Sequence, residues 1–179
     1  MQINFGPCLL ELRRGDITDQ TTDAIVNAAN AALAGGGGVD RAIHRAAGPT
    51  VMAETDEKFP DGCPAGSAVP TSAGQLPNKF IFHAIGPIWG GGRKDEQGVL
   101  QSAYRSCLEL AVEHECESIA FPAISTGAYR YPSDLAAQHS LEAVRDFLVE
   151  HKKPRLARFV LFSEGLYGAY AFALDELIA

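Results

Sequence analysis

Between positions 27 and 40 the chain places two amides, four consecutive glycines and one carboxylate: Asn27-Ala-Ala-Asn30, then Gly35-Gly-Gly-Gly-Val-Asp40. The apolar run Ala24-Ile25-Val26 precedes this stretch. Val39 to Ala47 follows it, with apolar or small residues at Val39, Ala42, Ile43, Ala46 and Ala47, the spacing of a helix. Few architectures accept that order. A covered strand that opens into glycines and then into a helix start lets backbone approach an anion closely, with the free N–H groups of the first turn aimed at it. The stretch is therefore expected to hold a phosphate. Asn27, Asn30 and Asp40 add neutral and charged hydrogen-bonding groups at the same place.

The rest of the chain alternates in kind. Apolar runs at Cys8–Leu12, Ala24–Asn27, Lys79–Gly86, Ser118–Phe121 and Arg158–Phe162 read as strands, and Ser67–Ser72 as a weaker one confined to a sheet edge by Pro70. Helical spacing marks Val39–Ala47, Thr50–Phe59, Val99–Glu113, a segment capped by Ser133, and Leu166–Ile178. Gly86 to Gly98, rich in glycine and charge, reads as a loop. Strands alternating with helices predict an α/β fold, a single-domain three-layer α/β/α sandwich with a mixed, mostly parallel sheet. Ligands of such sheets bind beyond the strands' carboxyl ends. A second polar, glycine-bearing junction, Ala123-Ile-Ser-Thr-Gly127-Ala-Tyr-Arg-Tyr-Pro132, falls at such an end. Two loops of this kind facing one cleft suit a pyrophosphate.

Composition narrows the partners. A net charge of −7 over 179 residues gives no general attraction for nucleic acid or an anionic membrane. No apolar run approaches the ~20 residues of a membrane span, and the first residues lack the pattern of a signal peptide, so a cytoplasmic location and a monomer are the default expectations. The four cysteines, Cys8, Cys63, Cys107 and Cys116, form no C-x-x-C pair and no zinc pattern, and Cys8 and Cys107 read as core residues.

Each polar residue admits a plain reading beside a functional one. The consecutive glycines do not fit G-x-G-x-x-G, and no G-x-x-x-x-G-K-[ST] occurs, which disfavours dinucleotide and P-loop folds. Asp40 is either an acid stabilised by its helix dipole or a group that orients or deprotonates a water. His44, four residues on, shares its face. Asn27 and Asn30 are turn formers or hydroxyl readers. Asp16 caps a turn or accepts from an exocyclic amine. His83 in an apolar strand reads as a satisfied core histidine, and Trp89 as a pocket rim or a core cover.

Taken together, Gly15-Asp16-Ile17-Thr18, Asp23-Ala-Ile-Val-Asn27-Ala-Ala-Asn30, Gly35–Asp40 with Ala42-Ile-His44, Ala46-Ala-Gly48, Leu76-Pro77, His83 with Gly86-Pro87, and Phe121-Pro-Ala-Ile-Ser-Thr-Gly127 resemble the macrodomain family, within it the MacroD-type ADP-ribosyl hydrolases. The resemblance implies a cleft for ADP-ribose. Asp16 would bind the adenine amine with Ile17 packing nearby, and Phe162 would stack on the base. Gly37, Gly38 and Val39 would hold one side of the diphosphate. Ser125, Thr126, Gly127, Ala128 and Tyr129 would hold the other, with Tyr129 against the distal ribose. Asn27, Asn30 and Asp40 would surround that ribose, with Asn30, Asp40 and His44 implied in catalysis. The implied reaction removes mono-ADP-ribose from acidic side chains or deacetylates O-acetyl-ADP-ribose, with no metal or cofactor. The implied partners are ADP-ribose, ADP-ribosylated protein and O-acetyl-ADP-ribose; nucleic acid enters only as an ADP-ribosylated substrate. Two positions depart from the family pattern: Arg41 and Arg130 stand where glycine is usual. A module that binds ADP-ribose without cleaving it is the rival reading, and a nucleotide-sugar phosphatase a third.

Overall fold

The computed structural model describes residues 1–179. Its seven strands are β1 (Gln2–Phe5), β2 (Cys8–Arg14), β3 (Ala24–Ala29), β4 (Ala68–Thr71), β5 (Phe80–Ile85), β6 (Ser118–Phe121) and β7 (Leu156–Leu161), ordered β1-β2-β7-β6-β3-β5-β4 in one sheet. The two outermost pairings are antiparallel and the inner ones parallel. The helices are α1 (Gly38–Ala47), α2 (Thr50–Lys58), α3 (Glu96–Glu113), α4 (Ser133–His151) and α5 (Glu164–Ile178).

Side-chain alternation along the strands builds two cores. Ala24 and Val26 of β3, Phe82 and Ala84 of β5, Ile119 and Phe121 of β6, and Phe159 and Leu161 of β7 join the large cluster under α3, α4 and α5. Their intervening neighbours Ile25, Ile81, Ala120 and Val160 join a smaller one with Ile43, Ala47 and Val51 of α1 and α2. Period 2 on a sheet covered on both faces requires this split. The expected three-layer sandwich is present, β4 with Pro70 lies at an edge, and Cys8 and Cys107 are fully buried.

Four details differ from the sequence reading. β1, a short hairpin arm on β2, was hidden by its length: four residues, with only Ile3 and Phe5 half-buried. Ser133 is the first residue of α4 and not its cap; Pro132 precedes it and no side-chain cap bond forms. Ser163 caps α5 instead, accepting from Leu166 N–H. The loop after β5 ends early because Glu96, 2% exposed, turns its carboxylate back to accept the N–H groups of Gly90, Gly92 and Lys94. No helix is long and apolar enough to cross a membrane.

Candidate functional site

The carboxyl ends of β2, β7, β6, β3 and β5 meet around one cavity of about 690 Å³. The structure gathers there Asp16, Ile17, Asn30, Gly37, Gly38, Val39, Asp40, Ser125, Thr126, Gly127, Ala128, Tyr129 and Phe162. Its other walls are small apolar residues that sequence reasoning missed, among them Ala28, Ala29, Pro122, Val160 and Leu166. At strand ends these are indistinguishable from core residues.

At one end Asp16 follows β2. Its Oδ1 accepts from Thr18 N–H at 2.8 Å and Thr18 Oγ1 at 2.7 Å, so the turn-capping reading is correct for that oxygen. Oδ2 makes no hydrogen bond within the chain. Phe162, which follows the paired end of β7, lines the same cavity 79% exposed, and Leu166 is a further wall residue.

In the middle, α1 begins at Gly38 with Gly37 as its N-cap, and no side chain caps it. Its first N–H groups are therefore left for a ligand. The opposing loop is held from beneath. Tyr104 of α3 donates to Pro122 O at 2.9 Å and accepts from Ile124 N–H at 3.0 Å. Tyr131 O–H, 2.7 Å from His139 Nδ1, anchors the loop's far side. Gly86, directly after β5, lets this loop lie against the end of that strand, because a Cβ there would run into Ser125 and Ile124. The Ser125 hydroxyl is buried without a partner.

At the other end, Asn30 organises the glycine loop: Nδ2 donates to Gly35 O at 2.8 Å and Oδ1 accepts from Ala34 N–H at 3.1 Å. One Nδ2 hydrogen and one Oδ1 lone pair remain. Asp40, 4% exposed, hangs from the first turn of α1. Its Oδ1 accepts from Asn27 Nδ2 at 2.9 Å and lies 3.2 Å from His44 Nε2, while Oδ2 stands beside Gly36 without a partner in the chain. Burial pushes this carboxyl up, but the hydrogen bonds from His44 and Asn27 and the neighbouring imidazoles bring it below the ordinary value. It is a carboxylate at neutral pH.

Two expected contacts are corrected. Asn27 is fully buried and absent from the cavity wall. It pairs in register with His83 of β5, so both side chains leave the sheet on the same face, where Asn27 bonds both His83 and Asp40 of α1. His44 likewise does not line the cavity and touches Asp40 instead. Both residues stand behind the carboxylate and position it. Neither Arg41 nor Arg130 lines the cavity, and Arg130 is exposed. His83 is a satisfied core histidine, bonded on both nitrogens. Trp89 covers the core, packing on Tyr131 with centroids 4.7 Å apart.

Residues 26–140 match the Macro domain family. This chain belongs to that family. It is 49% identical over 170 residues to the O-acetyl-ADP-ribose deacetylase of Citrobacter koseri, covering 93% of this chain and 96% of that protein. Its structure is similar to that of the Oceanobacillus iheyensis macrodomain with ADP, with TM-score 0.94 and 43% identity over 99% of this chain and 96% of that one. The Trypanosoma brucei macrodomain in complex with ADP-ribose aligns with TM-score 0.85 and 39% identity, over 92% of this macrodomain and 68% of that chain.

Proposed function

We propose that this macrodomain binds ADP-ribose and hydrolyses esters at its distal ribose, acting as an O-acetyl-ADP-ribose deacetylase and removing mono-ADP-ribose from acidic side chains. The first activity is the named activity of the Citrobacter koseri relative. The observation that carries the reading is the state of Asp40: buried, ionised, held through Oδ1 by two neighbours, with Oδ2 free beside the glycine loop. A module that only binds the nucleotide needs the adenine acid and the two diphosphate loops. It has no need of a buried carboxylate, which burial disfavours unless it is paired.

Adenine lies between Ile17, Phe162 and Leu166, with Asp16 Oδ2 accepting from its amine. The diphosphate bridges the start of α1 and the N–H groups of residues 125–129. This leaves the distal ribose between Asn30, Asp40 and Tyr129. Water adds at the ester, the ester C–O bond breaks, and the products are a ribose hydroxyl and a carboxylic acid that gives its proton to solvent. A carboxyl held below its ordinary pKa is a weak base. Asp40 therefore orients the water through Oδ2. Asn30, with one donor and one acceptor left, holds a ribose hydroxyl.

The test is release of ADP-ribose from a peptide carrying it on glutamate, and of acetate from O-acetyl-ADP-ribose, by wild type and Asp40→Asn. Turnover is expected to fall about 10²–10³-fold in the variant, with ADP-ribose affinity kept within a few-fold. A wild type that binds but releases nothing would leave a reader module.

A further inference from the structure

The cleft has a neighbour. A second cavity of about 260 Å³ is walled by Ala31, Ala65, Pro87, Ile88 and Lys94, and it shares Gly86 and Tyr129 with the first. Three contacts place it at the Asp40 end. β3 runs out through Asn30, which faces the main cleft, directly into Ala31, which faces the second. Tyr129 stands between the two. Trp89 N–H donates to Tyr129 O at 2.8 Å, fastening the loop that carries Ile88 and Lys94 onto the second diphosphate loop. Glu96, buried beneath, holds that loop through Gly90, Gly92 and Lys94 N–H.

The lining has a distinct character. It is mainly apolar, with Ile88 68% exposed at the rim. Its cation, Lys94, is exposed and forms no ion pair within the chain, and the Glu96 carboxylate that also lines it is occupied by the N–H groups of Gly90, Gly92 and Lys94. An acyl ester on the distal ribose presents a short apolar chain joined to a neutral carbonyl. Hydrolysis turns that carbonyl into a carboxylate. A small, mainly apolar recess whose one carboxylate is occupied by backbone N–H groups and whose cation is unpaired fits both stages: burial for the chain, and charge complementarity for the product and for the transition state leading to it.

We propose that this second cavity is the subsite for the acyl group esterified to the distal ribose, with Lys94 supplying the cation that meets the nascent carboxylate. This inference rests on the ester-hydrolase reading of the main cleft. It defines the substrate by chemistry: an acyl group on ribose, whether a small free acyl ester or a glutamyl side chain of a protein.

The experiment separates the two readings. Affinity is measured for ADP-ribose and for analogues whose distal ester is replaced by a non-hydrolysable acetyl or butyryl amide. kcat/KM is measured for acetyl, butyryl and glutamyl-peptide esters. The variants are Ala65→Phe, which fills the cavity, Ile88→Asp, which charges its rim, and Lys94→Gln. Wild type should bind the amides more tightly than ADP-ribose. Ala65→Phe and Ile88→Asp should remove that difference and lower ester kcat/KM by about tenfold or more, with unchanged ADP-ribose affinity reporting an intact fold. Lys94→Gln should lower kcat with amide affinity kept. Loss on small esters alone names the free acyl ester as the source. Loss on peptide esters alone names the protein side chain, and loss on both names the acyl carbonyl common to them. If both cavity variants leave the amide difference and ester turnover intact, the subsite is overturned. If the amide difference is present and abolished by Ala65→Phe, yet wild type hydrolyses no ester, the subsite stands and the hydrolase reading falls.

Discussion

Asn27 and His83 face each other on neighbouring parallel strands, with Asn27 Nδ2 3.1 Å from His83 Nδ1 and 2.9 Å from Asp40 Oδ1. The pattern of donors fixes the protons. An amide nitrogen carries two hydrogens, so Asn27 can serve both neighbours only if His83 Nδ1 accepts. The His83 proton is then on Nε2, 2.9 Å from Thr71 Oγ1, which in turn donates to Ser72 O at 2.9 Å. A chain of neutral groups thus runs from the edge strand to the carboxylate that faces the cleft.

The Asn27→Asp substitution tests this chain. It removes both hydrogens and sets a second carboxylate against Asp40. Destabilisation on the order of 3 kcal/mol is expected at pH 7, the scale for a buried uncompensated charge. The new carboxyl would have its folded pKa raised by its like-charged neighbour. Its folded form is then favoured below the ordinary carboxylate pKa and disfavoured as pH rises, so the defect should shrink in acid. Urea unfolding of both proteins at pH 7 and pH 4.5 measures this, and equal midpoints at pH 7 would refute the chain.

A second expectation concerns acid stability. Burial drives the His83 pKa down from 6.5 to about 4, helped by His44, whose ring lies 5.9 Å away; Asp40 and Glu54 oppose the shift. Between those values the unfolded histidine binds a proton and the folded one does not. Stability must therefore fall as pH drops from 6.5 toward 4 and level off below, by roughly 3 kcal/mol for this residue alone. His139, also shifted down by burial, adds in the same direction. Asp40, held below its ordinary value, loses its contribution only at lower pH. Denaturant titrations across pH 4–7 should show this slope, with a visibly shallower one in His83→Gln. An equal slope in the two proteins would assign the effect elsewhere.

What could be read from the residues alone has a physical boundary. Both loops that line the cavity were legible because glycine and amide side chains at strand ends have few structural uses. Asp40 and His44 were legible because four residues on a helix share a face. The roles of Asn27 and His44 were not. Whether an amide at the end of a strand points into a cleft or behind it depends on register and on the partner strand, and His83 lies 56 residues away in sequence. Tyr104 was equally opaque: its helical spacing shows that it is buried, and its hydroxyl gives no sign of the loop it supports. β1 does alternate, Gln2-Ile3-Asn4-Phe5, but four residues with only two apolar side chains are too short a pattern to announce a strand.

Arg130 carries a cost that can be removed. Its φ is 60°, it is exposed, and its side chain does not reach the cleft. An L-residue in this region costs about 1–2 kcal/mol, part of which glycine returns through unfolded-state entropy. Arg130→Gly is therefore expected to gain about 0.5–1 kcal/mol, raising Tm by a few degrees with ADP-ribose affinity unchanged. A fall in Tm would show that the arginine makes a compensating interaction.

Phe162 should behave in the opposite way. At 79% exposure its ring contributes little to folding, yet it lines the same cavity as Asp16. A large aromatic held in water beside a polar acceptor suits a purine, which offers a flat face and an exocyclic amine. Stacking on one base is worth about 1–3 kcal/mol, so Phe162→Ala should weaken ADP-ribose binding by about five- to 150-fold with Tm nearly constant. ADP, which shares the adenine but lacks the distal ribose, should lose affinity by the same factor, whereas turnover of bound ester should hold. Calorimetry with both nucleotides decides it: a loss for ADP-ribose without one for ADP would place Phe162 against the distal ribose and reverse the orientation of the nucleotide in the cleft.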